Sequence, residues 1–342
     1  MLNRCAILLL SGKEAAPGGL VKSGTHTDDA VPAGFVAPES YGASGDGSSI
    51  DTAAVNSAMG TSSPVWLTGT YRINNTVTLT TARDLWQYGP GFVYEGTQDR
   101  DAVTIGVDAA ISHCQIQGVR VRSSSQSNWS NNNYVGVHFA GSAKVWFTDI
   151  RQVEGFTYGI ELEGVGGPYT YGCASVGYVH NCEIGFENDC ATGSNWNNDN
   201  VFMGGRYVVD SGINTSVDRV GFRHWSSAGG YSQANAIVTH APVFELDTGG
   251  AGNAIAVWSQ GYYCVYEGLS IREADIVLQA DGGTSSYGRW LLAYCGYTPA
   301  TLTNAHYNTI GSYSSGNNGL SSHRNWVNTG GNSLGALGAT IA

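Results

Sequence analysis

Apolar and polar residues alternate along most of this chain in short runs, and glycine, serine and asparagine set the runs apart. Val65-Trp66-Leu67, Val77-Thr78-Leu79, Val103-Thr104-Ile105 and Ile116 to Val121 have the period of two that sends successive side chains to opposite faces of a strand. Similar patterns recur at 86–94, 200–207, 220–225, 236–246, 254–258, 263–266, 276–278 and 290–294. The 3.6-residue rhythm of helices is nearly absent. One short exception follows the glycine-rich turn Tyr41-Gly42-Ala43-Ser44-Gly45-Asp46-Gly47, where Ala53, Ala54, Val55, Ala58 and Met59 form an apolar stripe. Ser49 or Asp51 suits the cap of that helix. A helix so short needs an apolar surface to lie on, and the open first coil of a stack of strands offers one.

The strands carry a repeat. Gly136-Val137-His138-Phe139, Gly159-Ile160-Glu161-Leu162, Gly185-Phe186-Glu187-Asn188 and Gly212-Ile213-Asn214-Thr215 follow one another at 159−136 = 23, 185−159 = 26 and 212−185 = 27 residues. A period in the twenties with apolar alternation is the mark of a solenoid. With the glycines in register, Val137, Ile160, Phe186 and Ile213 face inward, and His138, Glu161, Glu187 and Asn214 face outward on rungs about 4.8 Å apart. Asn188 then points inward, where it would start a ladder of stacked amides. The expected layout is a loop-rich N-terminal arm over 1–38, a solenoid over 39–310, and a tail over 311–342 packing on the last coils. The polar segments 123–133 and 226–235 read as surface loops.

Composition supports this layout and narrows the function. The chain has 342 residues, with 48 Gly, 19 Tyr and 9 Trp and only 13% charged residues, which suits short strands joined by many tight turns. A formal net charge of -11 and the restriction of lysine to Lys13, Lys22 and Lys144 argue against a nucleic-acid surface or an anionic membrane. The apolar run from Cys5 to Leu10 is too short for a convincing signal peptide, and no stretch has transmembrane length, so no membrane insertion is expected. Seven cysteines without a Cys-x-x-Cys pair read mostly as reduced core residues, as in a chain folded in a reducing cytoplasm; Cys182 and Cys190 are the pair placed to meet in neighbouring turns. Metal-ligand spacing and cofactor motifs are both lacking, so neither a metal nor a cofactor is expected.

The turn Tyr41 to Gly47, the following Asp51-Thr52-Ala53-Ala54, and Val65-Trp66-Leu67-Thr68-Gly69-Thr70-Tyr71-Arg72-Ile73 together resemble the entry segment of the pectate-lyase-like right-handed parallel β-helices, which include phage tailspikes and polysaccharide depolymerases. Ile50 stands where that family commonly has a second Asp, and Thr68 where it has Pro. The resemblance is specific over 40–80 and continues in rhythm to about 165. It implies an all-β parallel β-helix with a short N-terminal capping helix, with Asp46 and Asp51 in structural roles. It further implies a homotrimeric tail component of a virion, made in the host cytoplasm, that docks on a phage tail or baseplate through its N-terminal arm and binds a host surface polysaccharide. Two alternatives stand beside cleavage of that polysaccharide: a receptor-binding spike without catalysis, and a free cellular polysaccharide lyase or hydrolase.

Candidate chemistry centres on the outward column. Adjacent carboxylates raise one another's pKa, which lets one act as a general acid while its neighbour stays ionised, as glycoside hydrolysis requires. The catalytic candidates are therefore Glu161, Glu187, His138 and Glu163. Each carboxylate alone equally suits a solvated sheet face; their clustering is what points to chemistry. Trp196, Asp199, Trp129, Trp225 and Arg151 are the substrate-binding candidates, because rings stack on pyranose faces and polar groups bond hydroxyls. Among further aromatic residues near loops are Trp258 and Tyr262. Asp149, Arg151 and Glu154 form a second charged set, and Glu245 with Asp247 a third. An anionic polymer would call on Arg120, Arg122 and Arg151.

Overall fold

The computed structural model describes residues 31–312 and 333–334, apart from 81, 97–99, 107–111, 125–128, 130–133, 145, 164–168, 191–196, 214–215, 226–237, 260–264, 281–288, 296–300 and 303–308; side chains are described as far as 275, except 225, 265 and 267–268. All the strand pairing among these residues is parallel, in a 15-stranded sheet, a 9-stranded sheet and a small two-stranded one. Successive coils contribute one strand to the 9-stranded sheet (Val77–Leu79, Val103–Ile105, Val135–Phe139, Tyr158–Glu163, Ile184–Asp189, Arg219–Trp225, Ala254–Ser259, Ile276–Ala280, Thr301–Leu302) and one or two strands to the 15-stranded sheet. This is the expected parallel β-helix.

Alternation builds the core rung by rung. Val77, Val103, Val137, Ile160, Phe186, Phe222 and Val257 stack inward from one sheet. Tyr71, Phe92, Val121, Val153, Val179, Tyr207, Phe244 and Ile271 stack inward from the other. All of these are 2% exposed or less. Each contributes roughly 1.5–3 kcal/mol by burial, and like stacks on like: the rings of Phe186 and Phe222 lie 4.8 Å apart and only 6° from parallel.

The first coil is closed by the helix Thr52–Met59, which buries Ala54, Val55, Ala58 and Met59. Asp51 does not cap this helix with its side chain. Its carboxylate instead accepts from the backbone N–H groups of Ser44 (2.8 Å) and Gly45 (3.1 Å), pinning the glycine-rich turn to the start of the helix. Asp46 likewise accepts from Ser48 and Ser49. Val36 already pairs with Val65, so the solenoid begins slightly before residue 39. Strands at Thr309–Ser312 and Ser333–Leu334 extend the large sheet beyond residue 310.

Three of the four repeat glycines stand in register. A Cβ on Gly136 would lie 2.8 Å from the Gly159 carbonyl oxygen, one on Gly159 2.6 Å from that of Gly185, and one on Gly185 2.7 Å from that of Gly221. The fourth member is therefore Gly221, and Gly212 sits in a turn at φ +81°. The register accordingly places Phe222 and Arg223, not Ile213 and Asn214, after Phe186 and Glu187. The extra residues before Gly221 lengthen this coil to 221−185 = 36 residues, and that moves the frame. Cys182 is a buried thiol that donates to the His180 carbonyl rather than pairing with Cys190.

Candidate functional site: a charged column on the smaller sheet

The glycine stack also shapes the surface. Gly159 faces the core, since its missing Cβ would meet Val179 and Cys182, and Ile160 beside it is also fully buried. Two consecutive inward positions bend the strand. The outward rows on either side of the bend, Tyr158-Ile184-Val220-Ile255 and Glu161-Glu187-Arg223-Trp258, thereby turn toward each other. Contacts across the bend bear this out: the Arg223 guanidinium lies 5.8 Å from the ring centre of Tyr158, and Trp258 packs on the Ile184, Val220 and Ile255 cluster. Charged side chains of the second row thus meet aromatic and apolar side chains of the first.

Thr104, His138, Glu161, Glu187, Arg223 and Trp258 are consecutive partners along the second row. His138, Glu161 and Glu187 are thus on adjacent rungs, as the spacing implies. They are not solvated: their side chains are 13%, 14% and 2% exposed. His138 faces Asp101 through Nδ1 (2.5 Å) and Glu163 through Nε2 (2.8 Å), with Glu161 at 3.8 Å. Both ring nitrogens meet carboxylates, so both donate. Burial pulls the pKa of His138 down, but the bonds to Asp101 and Glu163 and the charge of Glu161 outweigh it and raise the value to about 10. Burial lifts Glu161 to about 8, helped by Glu187, Glu163 and Asp101 and opposed by His138. Glu187 is lifted by burial to about 7 and opposed by Arg223, which grips both its oxygens with N–H groups at 2.7–3.0 Å. Both carboxyls therefore titrate well above the ordinary carboxylate range, Glu187 with a guanidinium on both its oxygens and Glu161 beside an imidazole at 3.8 Å.

Asp101, Tyr158, Arg223 and Trp258 belong to this site and were not singled out for it by sequence reasoning, which placed Trp258 only among the ring-bearing loop neighbours. Gly221-Phe222-Arg223 does repeat the frame of Gly185-Phe186-Glu187, a signal hidden by the longer coil. Asp101 lies 37 residues before His138 in an earlier coil and has no motif of its own.

The remaining candidates fall elsewhere. Trp129 is 1% exposed and bonds Glu183, so its ring offers no face to a ligand. Arg151 is exposed on the other sheet and pairs with Asp149 at 3.0 Å. Asp199 is an exposed turn residue at φ 55°. Trp196 and the side chain of Trp225 lie outside the described residues. Asn197 and Asn200, in the polar stretch 195–200, are fully buried and bond the backbone of Leu162, Tyr169, Gly172 and Asp189. Asn188 is buried as expected but does not start a ladder of amides; it bonds Asn197 at 2.9 Å and His224, on the next rung, at 3.2 Å. Glu245 is locked between Arg206 and Arg272, and Asp247 accepts from the Gly212 and Gly249 N–H groups.

No family model and no curated protein matches the chain. Among solved structures, it is similar to the ORF18 protein of Geobacillus virus E2, with a TM-score of 0.59 and 14% identity over 90% of this chain and 62% of that one. It is also similar to the Dettilon tailspike protein gp208, with a TM-score of 0.50 and 13% identity over 91% of this chain and 71% of that one. The chain thus spans less than two thirds of the Geobacillus virus protein. At these identities the likeness is one of fold.

Proposed function

We propose that this chain is a tailspike-like β-helix that binds a cell-surface polysaccharide along the charged column and cleaves it at Glu161 and Glu187. The observation that carries this reading is the pair of buried carboxyls on adjacent rungs with opposed partners. Glu161 is surrounded by other carboxylates and keeps a proton, so it serves as the acid to the glycosidic oxygen. Glu187, gripped by Arg223, ionises first and serves as base or nucleophile. Asp101 and Glu163 hold His138 as a fixed cation beside Glu161. Tyr158 and Trp258 supply ring faces for sugar stacking. In this reading the chain forms a homotrimer on a virion tail, as tailspike-like proteins do.

The test is depolymerisation of a panel of bacterial capsular and O-antigen polysaccharides by the parent, Glu161→Gln and Glu187→Gln, followed by new reducing ends and by absorbance of unsaturated uronates. At least a hundredfold loss in each variant with polymer binding retained is expected. Full activity in both variants would sink the site. Unsaturated products would turn the chemistry to elimination, and binding by the parent without any product would leave a receptor-binding spike.

A further inference from the structure

The large sheet, on the other side of the solenoid from the sheet of the charged column, carries a cavity of about 290 Å³ lined by Thr70, Pro90, Val93, Arg120, Arg122 and Gln152. That size is near the roughly 300 Å³ at which small-ligand sites begin. Arg120 and Arg122 stand at i and i+2 on the strand Gln115–Ser123, so both project from its outer face, and Gln152 is the register partner of Arg120 on the next rung. The base is rigid. Gln87, 2% exposed, accepts from the Arg120 N–H at 3.3 Å and donates to its carbonyl at 3.4 Å, while the Arg120 guanidinium is anchored on the Gly89 carbonyl at 2.8 Å. Gly118 permits the kink that brings this strand over the Gln87 carbonyl: its φ is +75° and a Cβ there would lie 2.2 Å from that oxygen.

Arg122 is exposed, and no acid lies within ion-pair distance of it among the described residues. Glu154, its register partner, accepts instead from the Gln152 amide at 2.5 Å. Two guanidiniums with donors to spare, an amide, a hydroxyl and an apolar floor of Pro90 and Val93 therefore meet in one concavity. On a chain of net charge -11, such a concentration of positive charge is local and selective.

We infer that this cavity is a non-catalytic subsite for a carboxylated sugar residue, a uronate unit of an acidic polysaccharide. A guanidinium fork matches a carboxylate, the amide and hydroxyl match ring hydroxyls, and the apolar floor matches a pyranose face. The site does not depend on cleavage at Glu161.

Titration calorimetry of the full chain tests it, in the Glu161→Gln background so that no probe is consumed, with an oligogalacturonate, an oligoglucuronate, a maltooligosaccharide of equal length, and inorganic phosphate. Binding of at least one uronate oligomer, weakening with salt and falling about tenfold or more in Arg122→Gln while Arg122→Lys recovers part of it, is the expected result. A circular-dichroism melt of Arg122→Gln that matches the parent shows that the loss is not unfolding. Equal affinity for the maltooligosaccharide, no uronate binding at all, unchanged affinity in Arg122→Gln, or phosphate competing as well as the sugar would each overturn the inference.

Discussion

Replacing Gly185 by alanine strikes the core and the charged column together. The added Cβ would lie 2.4 Å from Cδ1 of Tyr207 and 2.7 Å from the Gly221 carbonyl oxygen. To reach even 3.0 Å, the tightest approach real Cβ atoms show, the ring must yield 3.0−2.4 = 0.6 Å and the next rung 3.0−2.7 = 0.3 Å. Neither is free to move. Tyr207 is buried against Phe244, with ring centres 5.1 Å apart, and the Gly221 carbonyl belongs to a strand paired on both sides. Overpacking of this kind costs about 1–3 kcal/mol, and the immobile neighbours put this case at about 2–3. For a chain of this size that is a fall of roughly 3–4 °C in the melting midpoint. Gly212→Ala is the comparison: it meets nothing within 4 Å and suffers only its φ of +81°, a cost of about 1 kcal/mol. The assay is thermal unfolding by circular dichroism on all three proteins at one concentration. Because the strain opens the spacing between the rungs of Glu187 and Arg223, polysaccharide cleavage by Gly185→Ala should also fall. A midpoint at or above the parent's would refute the stacked-glycine account of the bend.

Activity should be greatest between about pH 7 and 8, falling on the acid side as Glu187 gains a proton and on the alkaline side as Glu161 loses one; a monotonic pH-rate profile would exchange or remove these roles. Stability should decline as pH rises above neutrality, where buried Glu161 and Glu187 carry charge and His138 loses its proton, whereas on the acid side those two carboxyls regain protons and offset the loss at His224. His138, raised to about 10, contributes stability that is complete below its ordinary 6.5 and is lost as pH rises through 10, whereas His224, lowered by burial to about 3, contributes stability that is complete above 6.5 and is lost as pH falls toward 3. Melting midpoints from pH 4 to 10 on the parent and on His224→Gln check this, with the variant expected to gain on the parent as pH falls from 6.5 toward 4.

Much of the architecture is legible in the chain because a solenoid repeats one local rule. Alternation decides which face each side chain takes, the glycine frame marks equivalent positions, and together they align His138, Glu161 and Glu187. The capping helix is legible for the same reason: its apolar stripe and the turn before it are local. Tertiary structure alone decided the rest. The coil between Gly185 and Gly221 grew by an insertion, and since lengthening a loop costs little free energy, nothing in the sequence forces a constant period or announces Arg223 as the partner of Glu187. Asp101 reaches His138 from an earlier coil, and Tyr158 meets Arg223 only because two inward residues bend the strand. Trp129 and Asn197 show the converse, since a ring or amide in a polar loop looks exposed in sequence, while burial depends on what the loop folds against. The protonation states of the column belong to this second class: a carboxyl's pKa is set by desolvation and by neighbours on other rungs, and these exist only once the coils are stacked.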